Sequence, residues 1–176
     1  MENNLAWTKT ILSVYRYLER ICGAIDKIIL NTGLSSRNVS LTNYFRNDAL
    51  SVSQKIIDLS QRKVSLINLK LLTEQCLKKM KTDDARLLIL CYIDGMKRRE
   101  LADKFGISMR TIFRRIDAAE SSFAKMLHLK GYTDSKLADV LKNENWIKSV
   151  FSKYSKGEEN ESIELSSSYI NRAVAM

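Results

Sequence analysis

Residues 97–116 read KRRELADKFGISMRTIFRRI, and this stretch decides the fold. Two short helices that meet at roughly 90–120° leave no room for a large side chain at their crossing. Ala102 is the small residue there. Gly106, four positions on, supplies the left-handed backbone that a tight turn needs. Ile107 plugs the space below the turn, and Ser108 caps the next helix by accepting a backbone N–H. Leu101 and Phe105 face inward from the first helix; Ile112 and Ile116 anchor the second. A plain helical hairpin does not need Ala, Gly, Ile and Ser in that order. The spacing therefore predicts a helix-turn-helix, with helices from about 97 to 105 and from 109 to 129 joined by a turn at 106–108.

The outward face of the second helix carries the chemistry. With Ile112 set at zero and about 100° per residue, Arg110 and Arg114 fall at about 160° and 200°. Thr111 and Phe113 lie on the flanks. Arg110, Thr111 and Arg114 thus project from the helix end that would enter a major groove. An arginine can grip guanine O6 and N7 with both prongs, and a Thr methyl can touch a thymine methyl. Phe113 has two readings, packing on the preceding helix or meeting a thymine methyl. Lys97, Arg98 and Arg99 open the preceding helix, where backbone amides point at phosphates. Lys104, Ser108 and Arg115 are the further expected phosphate contacts, with Lys125 and Lys130 beyond them, although each lysine or arginine here also reads as a solvated charge.

The charge distribution agrees. The chain has 176 residues, with 29 Lys plus Arg against 20 Asp plus Glu, a net charge of +9. Residues 97–130 alone hold 9 basic and 4 acidic residues, whereas residues 131–176 hold 6 and 7. A nucleic-acid footprint concentrates positive charge in this way. Proline is absent and glycine occurs only 6 times, which favours helices over turn-rich β architectures. No apolar run is long enough to span a bilayer, and the start MENNLAWTKT lacks the pattern of a signal peptide, so a cytoplasmic protein is expected. Cys22, Cys76 and Cys91 are far apart and read as small core hydrophobes. His128 stands alone, so no metal site is expected. No GxxxxGK, GxGxxG, GxSxG or HExxH string occurs. The expectation is a protein without catalytic activity, cofactor or membrane contact.

Outward from the centre, Thr82-Asp83-Asp84 is expected to cap a helix containing Leu87, Leu88, Leu90, Cys91 and Ile93, which Asp94-Gly95 stops. At the start of the chain, Trp7, Ile11, Val14, Leu18, Ile21, Ile25 and Ile28 recur in steps of four and three. That stripe suits either a helical hairpin or a dimerisation coil. A second long helix from about Arg46 to Met80 favours the hairpin. Asn3 or Asn4 would cap the first helix and Asn31-Thr32-Gly33 would end it, before a polar loop to about Asn43. In the second helix the stripe Ala49, Val52, Ile56, Leu59 is expected to continue through Val64, Ile67 and Leu71 after a phase shift near 60–63. Near the end, Leu137, Val140 and Leu141 form one amphipathic turn and Trp146, Ile147, Val150, Phe151 and Tyr154 another, both packing back on the core.

The stretch LLILCYIDGMKRRELADKFGISMRTIFRRIDAAESSFAKML, residues 87–127, resembles region 4 of bacterial sigma factors. The shared features are the Leu-rich first helix ending in Tyr92 and Asp94-Gly95, then RRELADKFGIS, then a recognition helix running on into a long basic-amphipathic one. With a long helical arm ahead of it, the arrangement is similar to phage-type sigma-like transcription regulators of low-GC bacteria. The resemblance implies a DNA-binding fold that also touches RNA polymerase, with Arg110, Thr111 and Arg114 at the base-reading positions. No stretch resembles sigma region 2, so a regulator is expected rather than a promoter-melting factor. Arg110 and Thr111 also stand where many sigma factors carry an acidic and a basic residue, so the target sequence is not carried over.

The expected fold class is all-α: a long N-terminal helical hairpin over 1–80, a helix-turn-helix of the winged-helix-like class without a clear wing over 81–130, a short C-terminal helical cap over 131–154, and a flexible acidic tail over 155–176. The expected partners are double-stranded DNA, RNA polymerase, and a second copy through the N-terminal helices. The competing function is a protein–protein module, a sigma-like adaptor or anti-factor that holds polymerase without reading DNA. An accessory subunit of a recombinase or nuclease ranks last, for want of an acidic cluster with metal-ligand spacing.

Overall fold

An apolar residue at every third or fourth position commits the first 35 residues to a helix with one buried face. In the computed structural model, which describes residues 2–35 and 45–157, that helix is α1 (Glu2–Ser35). It is followed by α2 (Phe45–Lys79), α3 (Thr82–Leu88) with a π-helical extension over Ile89–Ile93, α4 (Arg98–Phe105), α5 (Met109–Leu129), α6 (Asp134–Val140) and α7 (Asn145–Ser155). The fold is all-α, and no strand occurs among the described residues. The loop expected to run to about Asn43 lies outside them, as does the expected tail over 155–176 from residue 158 on; Ser155 itself is the last residue of α7.

Helices α1 and α2 run antiparallel. Tyr15 Oη donates to Glu74 Oε1 at 2.8 Å, Lys70 Nζ reaches Glu19 at 3.2 Å, and Lys63 Nζ reaches Asp26 at 2.6 Å. From α1, Trp7, Ile11, Leu12, Val14, Leu18, Ile21 and Ile25 are buried in the main core. Each such Leu or Ile contributes about 1.5–3 kcal/mol by leaving water. The α1 stripe is thus consumed within one chain, which removes it as a surface for a second copy.

The stripe expected on α2 is corrected in its second half. Val64, Ile67 and Leu71 are exposed, and so is Ala49, while Leu66, Leu69, Leu72, Cys76, Leu77 and Met80 are buried. The helix is apolar on two sides; the inward one carries these buried residues, and the ion pairs to α1 lie along its edge. What reads as a phase shift at 60–63 is a polar stretch of the same seam. Lys63 pairs with Asp26 there, and Arg62 forks onto Glu144 through Nε (2.6 Å) and a terminal nitrogen (3.0 Å). Buried Thr10 and Thr73 donate to the carbonyls of Ala6 and Leu69, four residues back, which satisfies their hydroxyls.

Smaller departures concern helix ends. Helix α1 already includes Asn3 and Asn4 and continues past Gly33, so none of these residues caps or ends it. Thr82 is the first residue of α3 rather than its cap, which is Lys81, while Asp83 and Asp84 do occupy the first turn. Val140 is exposed, whereas Leu137 and Leu141 are buried. The closing aromatics pack inward: Phe151 stacks on Trp7 at 4.2 Å between ring centres, and the hydroxyls of Tyr154 and Ser13 lie 2.7 Å apart. All three cysteines are free, with Cys76 buried and Cys22 and Cys91 partly so.

Candidate nucleic-acid interface

Helix α4 ends because Gly106 turns left-handed, with φ 61° and ψ 33°. The N–H of Ile107 then returns to the carbonyl of Ala102 at 3.1 Å, and that of Gly106 to Asp103 at 3.2 Å. These two bonds make the Schellman closure and satisfy carbonyls left over at the helix end. Ser108 starts α5 by accepting the N–H of Thr111 at 3.3 Å. Its oxygen also lies 2.9 Å from the Thr111 hydroxyl. A separate small core of Leu87, Leu101, Ala102, Ile112 and Ile116 holds the two helices at their crossing, with Phe105 and Ile107 packed against it. The turn geometry and its anchors are those read from residues 97–116.

The candidate reading residues fall on the water side of this unit. Arg110, Thr111 and Arg114 are exposed on the first two turns of α5, and Lys97, Arg99, Lys104 and Ser108 are exposed beside them. Among the described residues, none of Arg99, Lys104, Arg110 and Arg114 is held in an ion pair. The terminal aromatics do not cover them, because Trp146, Phe151 and Tyr154 pack in the main core with α1.

Four of the candidates have neighbours within the protein. The Arg98 guanidinium lies over the Phe113 ring, 4.7 Å from its centre, so Phe113 packs against the start of α4 while keeping 38% of its surface exposed. The Lys97 amide donates to Glu100 Oε2 at 3.1 Å, so that N–H already has an acceptor. Arg115 stands on the other flank of α5, lining a groove with Asp83, Asp84, Leu87, Phe105 and Ile112. The structure therefore brings Arg110, Thr111 and Arg114 to one face and sets Arg115 apart from them. Met109, exposed at the first position of α5, is a further side chain at the reading end. Only its position before Arg110 could have flagged it.

Behind the interface sits a buried polar cluster that no sequence signal marks. Glu120, on α5, has no exposed surface. Tyr92 Oη donates to its Oε1; its Oε2 lies 3.8 Å from Lys9 Nζ and makes no hydrogen bond. Burial raises the Glu120 carboxyl above the usual carboxylate range, partly countered by Tyr92 and Lys9. Burial pushes the Tyr92 hydroxyl well above its ordinary value, and the neighbouring carboxylate adds to this. The cluster ties α5 to α1 and to the π-helical turn. That turn is itself an i→i+5 departure, with the Asp94 N–H bonded to the Ile89 carbonyl at 2.9 Å.

Residues 70–120 match the family model described as Sigma-70, region 4. This chain carries a sigma region 4-like helix-turn-helix. The matched residues begin in the last turns of α2 and end at Glu120, so the region 4-like head includes α3, the π-helical turn, α4 and the first half of α5. Comparison with curated proteins and with solved structures returned no match. Such a head belongs to transcription regulators that engage DNA, RNA polymerase or both. Among the described residues no helix is long and apolar enough to cross a membrane.

Proposed function

We propose that the protein is a non-enzymatic, cytoplasmic transcription regulator that reads a short duplex site through the major groove. Arg110, Thr111 and Arg114 contact base edges, and Lys97, Arg99 and Lys104 neutralise phosphates on either side. Arg98 joins the phosphate contacts from its seat on Phe113. Ser108 supports the reading indirectly, by fixing the first turn of α5. The observation that carries this reading is the pairing of opposite faces on α5: Ile112 and Ile116 are buried while Arg110 and Arg114, each two residues before one of these anchors, stand free in water.

The test is selection of bound duplexes from a random pool, followed by titration of the selected site against scrambled DNA. A defined site should emerge, and affinity should fall with salt at a log–log slope near −0.9 per phosphate neutralised. Arg114→Ala should cost about 1–3 kcal/mol on the selected site and relax its base preference. An equal loss on every sequence would make Arg114 a phosphate contact instead.

A second reading, a module that holds RNA polymerase without reading DNA, is favoured by the groove beside Arg115. Over the buried Leu87 and Ile112 it sets the half-buried Phe105 beside acidic Asp83 and Asp84, whose charge favours a protein partner over phosphate. Co-purification with polymerase, together with no enriched site from the pool, would select this reading.

A further inference from the structure

The outer face of α2 is apolar at a regular interval. Leu50, Ile57, Val64 and Leu71 are spaced by seven, and Ile67 stands between the last two. All five are large hydrophobics left between 38% and 67% exposed. A step of seven places them along one line of a helix, and the stripe from 50 to 71 is about 33 Å long. Its flanks at the adjoining positions are Ser53, Gln54, Ser60, Gln61 and Asn68, with Lys63 and Lys70 beside Ile67 turned to Asp26 and Glu19 of α1. No charged residue falls on the line itself, although 28% of the chain is charged. Depletion of charge around exposed apolar residues is the compositional mark of an interface core.

We propose that this ribbon is a homodimer interface, on which α2 of a second copy packs side by side. A helix whose apolar residues keep the same heptad step matches the ribbon along its length, and a second α2 does so by construction. The same patch on both chains gives a two-fold symmetric contact. Along the line from Leu50 to Leu71 no ion has to be stripped of water for two copies to meet. The five side chains expose on the order of 500 Å² together, so pairing buries about 1,000 Å² before the flanking polar residues are counted, which reaches the lower limit of a specific interface. The stripe on α1 cannot serve, since it is already buried against α2 and α7.

Sedimentation equilibrium of the full chain, without DNA, tests the proposal independently of any base reading. Wild type should move from one to two chain masses over roughly 1–100 µM. The double variant Ile57→Glu/Val64→Glu should stay at one chain mass, its dissociation constant raised at least about a hundredfold. Both side chains face water, so its far-UV circular dichroism should match wild type. Should the variant unfold, Ser60→Cys replaces it: oxidation should yield a disulfide-linked pair from Ser60→Cys and not from wild type. A wild type that is monomeric throughout overturns the proposal, as does a dimer that survives both glutamates, or the absence of a linked pair. If deleting residues 158–176 turns a monomer into a dimer, that segment is the occupant and the second copy is not.

Discussion

The guanidinium carbon of Arg98 lies 4.7 Å from the centre of the Phe113 ring, which joins the first residue of α4 to the second turn of α5. Both residues therefore act as a unit at the edge of the reading face. A cation over a ring at an exposed site contributes about 0.5–1 kcal/mol. Phe113→Leu keeps an apolar side chain but removes the ring face. Duplex affinity is expected to fall roughly two- to fivefold, with helical content unchanged. Fluorescence anisotropy on the selected site measures this, and an unchanged affinity would mean that Arg98 needs no ring to hold it.

Lys104 and Arg99 separate phosphate contacts from base contacts. Replacing either with alanine should weaken binding evenly across DNA sequences and reduce the salt slope by about one. Titrations at three salt concentrations on selected and scrambled duplexes would show it. Sequence-dependent losses would instead move these side chains into the groove.

Gly106 has nothing within 4 Å of where a Cβ would stand, so alanine there meets no clash. The cost comes from the backbone alone, because φ of 61° is left-handed. Gly106→Ala should cost about 1–2 kcal/mol, which corresponds to a drop in Tm of roughly 4 °C for a chain of this size. Calorimetry checks this, and a neutral result would show that the turn relaxes.

Arg62 neutralises Glu144, which is only 2% exposed and also accepts the Trp146 indole N–H at 2.6 Å. Arg62→Met should leave a buried carboxylate with the indole as its remaining donor among these two, at a cost of about 3 kcal/mol in urea unfolding. The loss should exceed that of the exposed pair Lys142–Asp139, where Lys142→Ala should cost well under 1 kcal/mol.

Glu120 should make stability depend on pH in the opposite sense to an ordinary salt-bridged carboxylate. Its folded-state affinity for a proton is raised by burial. It therefore favours the fold below the ordinary carboxylate value of 4.5, and that contribution is lost as pH rises through the elevated folded value. Glu120→Gln keeps the acceptor for Tyr92 and removes the buried charge. It should raise Tm near pH 7 to 8 relative to wild type, with the advantage shrinking as pH falls toward 4.5. If the advantage were independent of pH, the ionisation of Glu120 would not be its source.

The helix-turn-helix was legible residue by residue, because its determinants lie within twenty positions of one another. Ala102, Gly106, Ile107, Ser108, Ile112 and Ile116 each answer a local demand: a close crossing, a left-handed turn, a cap, an anchored face. The apolar stripe of α1 was legible for the same reason; that residues 6–14 are buried on nearly every side, Thr8, Thr10, Leu12 and Ser13 included, was not. The exposure of Arg110 and Arg114 followed from helical angles once Ile112 and Ile116 were placed inside.

Other features depend on contacts between distant segments. Helix α2 offers two apolar sides at helical spacing, and local periodicity does not distinguish them. Packing of Leu66, Leu69, Leu72 and Leu77 in the main core holds one side inward, with Asp26, Glu19 and Glu144 pairing along its edges, and leaves Leu50, Ile57, Val64 and Leu71 in water. Glu120 reads as a surface charge on a basic helix until Tyr92 and Lys9 close over it. Short-range spacing suffices where one turn sets the geometry. Where two arrangements satisfy the same local pattern, the choice falls to whichever buried ions and side chains find partners across the fold.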